Sequence, residues 1–452
     1  MAETPQAAAP IRDTADLWRH FASGDKPPET HRLGVEHEKI PLLPGGISPA
    51  YEGVIERLLT SLRDEAGWEE VDEGGRIIAL RRTGPTGVAT VSLEPGGQLE
   101  FSDAPRASAR EAEAAVRGHL RELTAPVRAL GLKLLGIGFR PYGTLDDVPW
   151  MPKGRYRVMR AYLPTRGRLA HEMMKRTATV QVNVDYADQA DCAAKMRASM
   201  GTSSLVTALW AASPIVDGRV TDEQSHRAAC WLETDPDRAG LLPFVFADGA
   251  EHDLYRNYAE WALDVPMFFV YRGGEYRPAH GLPFRRFIAE GFGGEHATDA
   301  DWELHLSTLF PEIRLKRYLE MRGADSGPLE MVLALPALYR GMLYDAEACR
   351  AAFALVADWT MAERETLRRE VPARGLRAEV RGRPIGPLAL ELVKIARAGL
   401  ARLGADDDAP LLDPVERIAR DGRTTADEIR DHFRQCGGDP DAFAARLALP
   451  LG

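Results

Sequence analysis

Four short stretches of the chain alternate polar and apolar residues with the two-residue period of a β-strand. They are LGVEHEKI at 33–40, SLEPGGQLEFS at 92–102, TVQVNVDY at 179–186 and YLEMRGAD at 318–325. Successive side chains of a strand point to opposite faces. Glu36 with Glu38, Gln98 with Glu100, Gln181 with Asn183, and Glu320 with Arg322 therefore each share a face. Taken singly, each pair also fits the wet face of a surface strand. Taken together, they predict one sheet with an apolar face and a face that gathers carboxylates, amides and a guanidinium. Carboxylates crowded out of water repel one another and call for a cation or a proton.

The same periodicities predict the rest of the chain. A short helix surrounds Trp18, with Thr14 as its N-cap. Helical spacing covers 51–63, 107–130, 189–211 and 301–309. Strands are expected at 33–40, 132–139, 177–186, 266–272 and 313–322, with a β-meander over 76–102. The stretch 146–164 mixes prolines, aromatics and cations and reads as irregular and ligand-facing. After about residue 328 the pattern turns helical, at 343–358, 360–370, 386–403, 413–419 and 424–434. The expectation is an α+β chain with a mobile tail over 1–13, a catalytic body over 14–330 and a helical region over 331–452.

Composition narrows the function classes. The 452 residues are 45% hydrophobic and 27% charged, the balance of a globular protein. A net charge of −10 argues against a surface for nucleic acid or anionic membrane. The four cysteines, Cys192, Cys230, Cys349 and Cys436, lack metal-ligand spacing and read as free thiols. Residues 1–20 have no basic n-region or apolar h-region, and no apolar run approaches the ~20 residues needed to span a bilayer. The expectation is a cytoplasmic protein.

The chemistry has to come from the polar face. There is no GxxxxGK[ST] loop and no G-x-S-x-G elbow, and GIGF at 136–139 is too short for a dinucleotide fingerprint. Glu94 precedes a Pro-Gly-Gly break whose glycines permit close approach of a ligand. Glu320 is a further oxygen donor, and Arg322 can fork onto a carboxylate or phosphate. Arg227, in HRAACW, is a second such cation. Oxygen ligands of this kind suit Mg²⁺, and Mg²⁺ suits phosphate chemistry.

Joined in order, the runs GVEHEKI, SLEPGGQLEFS, MPKGRYRVM (151–159), MMKRTATVQVNVDY (173–186), DPDRAGLLPFVF (235–246), YAEWALDVPMFFVYR (258–272) and FPEIRLKRYLEMRGAD (310–325) resemble the plant and proteobacterial type of glutamate–cysteine ligase. ALPALYRGMLYD (334–345) and ADWTMAERETLR (357–368) carry the resemblance into the helical region, and it spans roughly 14 to 400. It implies a glutamine synthetase-like fold: a curled antiparallel sheet forming a funnel, flanked by helices. It implies ATP as co-substrate and Mg²⁺ as cofactor, and ligation of the L-glutamate γ-carboxylate to the L-cysteine amine through a γ-glutamyl phosphate. The implied metal ligands are Glu36, Glu38, Glu94, Glu100 and Glu320. Gln181, Asn183, Gln98, Arg155 and Tyr156 would meet substrate or nucleotide, and Arg227 and Arg322 would neutralise charge in catalysis. Plant members carry cysteines where this chain has Ala178 and Leu333, so redox control at those positions is not expected. The expected assembly is a monomer or weak homodimer.

Other readings share parts of this pattern. A related ligase would differ only in its amine. A non-catalytic glutamate- or nucleotide-binding regulator would lack a metal carboxylate. A glycosidase would need neither ATP nor Mg²⁺.

Overall fold

The computed structural model describes residues 10, 11 and 13–451, so most of the tail expected over 1–13 lies outside the described residues. Ile11 is anchored, its N–H donating to the Ala297 carbonyl at 3.0 Å. Thr14 precedes the helix Ala15–Ala22 but makes no side-chain cap.

Nine strands build one open sheet. They are β1 (Leu33–Leu42), β2 (Glu69–Glu73), β3 (Arg76–Gly84), β4 (Gly87–Leu93), β5 (Leu99–Ser102), β6 (Lys133–Leu135), β7 (Val180–Val184), β8 (Ile313–Leu315) and β9 (Leu319–Met321). The order is β8-β9-β7-β1-β5-β4-β3-β2, with β6 beside the far end of β1. Every pairing in it is antiparallel.

Register does the work of assembly. Glu38 stands opposite Glu100, which stands opposite Ser92. Glu36 stands between Ser102 and Gln181, and Asn183 between Gly34 and Glu320. Directly paired residues share a face, so the polar positions of distant segments meet on one side of the sheet.

The other face is buried but not wholly apolar. Leu33, Val35, His37 and Lys39 all point there and are buried. Lys39 donates to the His37 carbonyl at 2.8 Å, and burial pulls its ammonium down to about 7. The helix Ala109–Glu122 covers this side, its His119 ring stacked on Phe101 at 4.4 Å between centroids. The long helices Gln189–Leu209 and Leu329–Leu343 complete the core. The end of β1 joins Leu135, Ile137, Phe433 and Phe443 in a second cluster, so the last helices also pack on the sheet.

Several expected elements differ. The stretch 146–164 contains a regular helix, Gly154–Tyr162, because after Pro152 nothing interrupts good helix formers until Pro164. The strand expected at 132–139 is paired only over 133–135. That at 313–322 is a hairpin, β8 and β9. Residues 269–272 pair only with 275–278, away from the main sheet. The helix expected at 343–358 is Ala346–Ala354, preceded by Leu329–Leu343, whose internal Pro336 disguised it.

The Pro-Gly-Gly turn between β4 and β5 is tightly packed. A Cβ on Gly96 would lie 2.0 Å from the Lys175 carbonyl oxygen, and Gly97 has φ +84°. Gly96→Ala is expected to cost about 1–3 kcal/mol, because backbone cannot give way as a side chain can. Chemical denaturation measures it, and an unchanged midpoint would show that the turn is free to shift.

All four cysteines are free, and three are buried. Burial raises the Cys192 thiol well above its usual range and the Cys349 thiol to about 12, which removes thiolate character. Any activity should therefore be insensitive to mild oxidants and to dithiothreitol. A several-fold response traced by mass spectrometry to an intramolecular disulfide would contradict this.

Candidate active site

The polar face of the sheet floors an open cavity of about 360 Å³. Glu36, Glu38, Glu94 and Glu100 line one part of it, and Arg227, Arg314, Lys316 and Arg322 another. The helix Gly154–Tyr162 and the residue before it bring Lys153, Arg155 and Tyr156 to the same space.

The carboxylates near β1 are short of positive charge. Burial, then Glu320 and Glu100, push the Glu36 carboxyl up to about 7, although the Asn183 amide donates to its Oε1 at 2.8 Å. Glu38 is raised well above the usual range by burial, Glu94 and Glu100, against Arg227 and the Thr179 N–H, which donates to Oε2 at 3.0 Å. Glu100 is raised by burial and then Glu94, although Ser92 Oγ donates to it at 2.7 Å. Glu94 is raised by burial, partly offset by Lys153, Arg155 and Arg322.

Glu320 behaves in the opposite way. Burial alone would raise it, but Arg314, Lys316 and Arg322 hold it well below the usual carboxylate range. Arg314 Nη2 lies 2.6 Å from Oε1 and Lys316 Nζ 2.9 Å from Oε2, and Arg322 also pairs with Oε1. In this structure Glu320 is therefore the counter-ion of three cations, not a carboxylate with free lone pairs.

The remaining expected residues divide. Gln181 Oε1 accepts from Arg322 Nη1 at 2.9 Å, with the Arg322 guanidinium 5.5 Å from the Trp231 and Phe310 ring centroids. Arg227 Nη2 donates to the Arg322 carbonyl at 2.8 Å. Arg155 faces the Phe269 ring and leaves its Nε without a partner. Two residues border the cavity with their polar ends already used. Gln98 accepts from Gly96 N–H at 2.9 Å and donates to the Thr177 carbonyl at 2.7 Å, and the Tyr156 hydroxyl donates to the Leu93 carbonyl at 2.6 Å.

Sequence reasoning missed Lys153, Arg314, Lys316 and Trp231. A signal was present for two of them: Arg314 and Lys316 show the same two-residue alternation as Glu320 and Arg322 in IRLKRYLEMR.

The donor set can be tested against a metal. Among the described residues, no group of three or more His, Cys, Asp or Glu stands close enough to grip an ion unaided. Mg²⁺ does not require such a cage, since it keeps waters and takes one or two carboxylates plus substrate phosphates. Hard oxygen donors with surplus negative charge beside an open cavity fit that mode.

The profile of Glutamate-cysteine ligase family 2 (GCS2) matches residues 32–442. The chloroplastic glutamate–cysteine ligases of Brassica juncea and Arabidopsis thaliana are each 42% identical to the chain over 421 residues. Those alignments cover 92% of the chain and 80% and 79% of the plant proteins. The structure of glutamate–cysteine ligase from Francisella tularensis in complex with AMP matches with a TM-score of 0.57 at 13% identity, over 92% of this chain and 88% of that one. This last likeness concerns the fold: an open antiparallel sheet flanked by helices.

The relatives correct one expectation. Those plant proteins are chloroplastic, which contradicts the cytoplasmic expectation. No helix among the described residues is long and apolar enough to cross a membrane.

The raised carboxylates make stability depend on pH. Glu36 has an ordinary pKa of 4.5 and one of about 7 in the fold. The folded state therefore holds a proton that the unfolded chain has released, and stability falls as pH rises from 4.5 through 7, with the penalty complete above. The decline is read as a difference: relative to Glu36→Gln, the ligand-free wild type should lose thermal stability as pH rises from 4.5 through 7. A wild-type minus variant difference that stays constant across that window would mean that the Glu36 charge is relieved by other means.

Proposed function

This chain belongs to glutamate–cysteine ligase family 2, and we propose on that footing that it joins the γ-carboxylate of L-glutamate to the amine of L-cysteine at the expense of ATP. The product is γ-glutamylcysteine, and the step is the first of glutathione biosynthesis. The observation that carries the reading is the polarity of the cavity: surplus carboxylate on β1 and β5, and cations on and just beyond the β8–β9 hairpin (Arg314, Lys316, Arg322) and on the helix His226–Leu232 (Arg227).

A carboxylate is a poor electrophile, because displacement would have to expel oxide. Transfer of the γ-phosphoryl group of ATP to the glutamate γ-carboxylate gives an acyl phosphate, whose leaving group is phosphate. The cysteine amine then attacks the acyl carbon, and the amide forms as phosphate departs. Such transfers need positioning and charge neutralisation more than a protein nucleophile. The sequence of steps requires no covalent carrier on the protein, so the intermediate is assigned to the substrate.

The residues divide by charge. Glu36, Glu38, Glu94 and Glu100 would hold Mg²⁺ on its arrival with ATP. When bound, Mg²⁺ supplies charge neutralisation at the phosphates. Arg227 and Arg322 would meet the glutamate carboxylates or the transferring phosphoryl group. Glu320 keeps Arg322 and Arg314 in place, and Gln181 fixes the Arg322 fork from the neighbouring strand. Asn183 orients Glu36. Lys153 and Arg155 face Glu94 and suit the nucleotide phosphates.

Isotope transfer tests the reading. Glutamate labelled with ¹⁸O in its γ-carboxylate should pass one label to inorganic phosphate during ligation. Unlabelled phosphate, or a phosphorylated protein side chain on the path, would rule the mechanism out. Glu38→Gln and Glu100→Gln should each lower turnover about a hundredfold or more while leaving the fold intact. A variant keeping near wild-type turnover at saturating Mg²⁺ would remove that residue from the metal site. Arg322→Lys should weaken inhibition by a phosphorylated sulfoximine analogue of the tetrahedral adduct, because lysine keeps the charge but not the planar fork.

A further inference from the structure

Asp325 is a buried acid that the proposed chemistry leaves unused. It is 1% exposed and lies three residues after Arg322. Its Oδ2 accepts from the Ala212 N–H at 2.9 Å and from Ser213 Oγ at 2.6 Å. Its Oδ1 accepts from Ser225 Oγ at 2.8 Å and faces Arg227 Nη1 at 3.7 Å. Ser225 is the N-cap of the helix His226–Leu232, accepting from the Ala228 N–H at 3.0 Å, and Ser213 Oγ accepts from the Arg227 N–H at 3.1 Å. The carboxylate thus grips the start of this helix and the guanidinium that its second residue sends into the cavity. Gly138, from the GIGF run, makes room for it, since a Cβ there would lie 2.5 Å from the Asp325 carboxyl carbon.

The arrangement matters because Arg227 has a choice of acids. Glu38 lies within its electrostatic reach. A guanidinium free to move would collapse onto Glu38, neutralise a carboxylate of the metal-binding group and leave the substrate side. Asp325 is pinned by three donors and cannot follow its partner, so it holds the charge at one place. The Arg322 carbonyl takes the other end of the same guanidinium at 2.8 Å, so residues 322–325 both supply Arg322 and set Arg227.

We propose that Asp325 is a positioning residue that holds the Arg227 guanidinium off Glu38 and toward the glutamate substrate. This rests on the reading of Arg227 as a substrate-facing cation. The wild-type protein tests that reading first. If it releases no ADP with Mg²⁺, glutamate and cysteine, the reading fails whatever Asp325 does.

With activity in hand, Asp325→Asn decides the inference. The amide oxygen can still accept from Ala212 and Ser213, while the amide N–H₂ turns a donor toward Arg227. The expected result is a fall of about tenfold or more in kcat/KM for glutamate, with KM for ATP moving less than about twofold. In an Arg227→Ala background the same substitution should add nothing further, because its partner is gone. Ser213→Ala unpins Asp325 without changing charge, and should give a smaller loss in the same direction. Equal losses for glutamate and ATP, or full additivity with Arg227→Ala, would reduce Asp325 to a structural acid and overturn the proposal. If Asp325→Asn does not fold, Ser213→Ala decides: an unchanged kcat/KM for glutamate overturns it.

Discussion

Antiparallel register forces like charges together on one face of this sheet. Glu38 can pair with Glu100, and Glu36 with Gln181, only if their side chains emerge on the same side. The apolar partners of those strands make any slip costly, since a one-residue shift would expose the buried set and bury the polar one. The fold therefore holds the carboxylates together against their repulsion. That repulsion is stored at one place and is relieved by a proton, or by a cation brought from solution.

The rest of the molecule works to keep that face rigid and the other face covered. The Pro-Gly-Gly turn is held from inside by Gln98 and from behind by Arg140, whose guanidinium donates to the carbonyls of Pro41 and Gly96. Glu94, on that turn, has no strand to orient it and depends on this scaffold. On the reverse face, Lys39 and His37 are buried, and His37 has no hydrogen-bond partner for either ring nitrogen. Such groups weaken a core. They sit directly beneath Glu38 and Glu100, and Lys39 is among the few positive charges near that end of the site.

The two-residue alternation made the face legible in the sequence, because period two in a strand leaves no freedom in where side chains point. It could not distinguish among the glutamates. Glu36 and Glu320 look alike in their strands, yet one is pushed up to about 7 and the other held well below the usual range. The difference lies in residues brought by the β8–β9 hairpin, and that hairpin was read as one strand. Gln98 shows a related limit: a polar residue beside a turn can spend its amide on backbone around the turn, which periodicity does not report. The helix Gly154–Tyr162 was hidden by its flanking prolines, although they bracket it and do not interrupt it.

Opposite shifts in chemically identical groups are how a site assigns separate tasks to one residue type. At the acidic end burial and mutual repulsion outweigh the cations nearby, and on the proposed reading a hard metal ion arriving with phosphates would relieve the surplus. The basic end, tied down by Glu320, attracts an anion and cannot be neutralised by its own acids, because they are already engaged. A triphosphate carrying its metal and an acceptor carrying carboxylates satisfy both ends at once, and neither ligand alone does so. On that reading, the γ-phosphoryl group and the carboxylate it must reach would lie between the ends. The phosphoryl oxygens then face positive charge from both directions, the environment that transfer between two anions requires. On the proposed reading, the charge asymmetry of one sheet face would both place the two substrates and stabilise what passes between them.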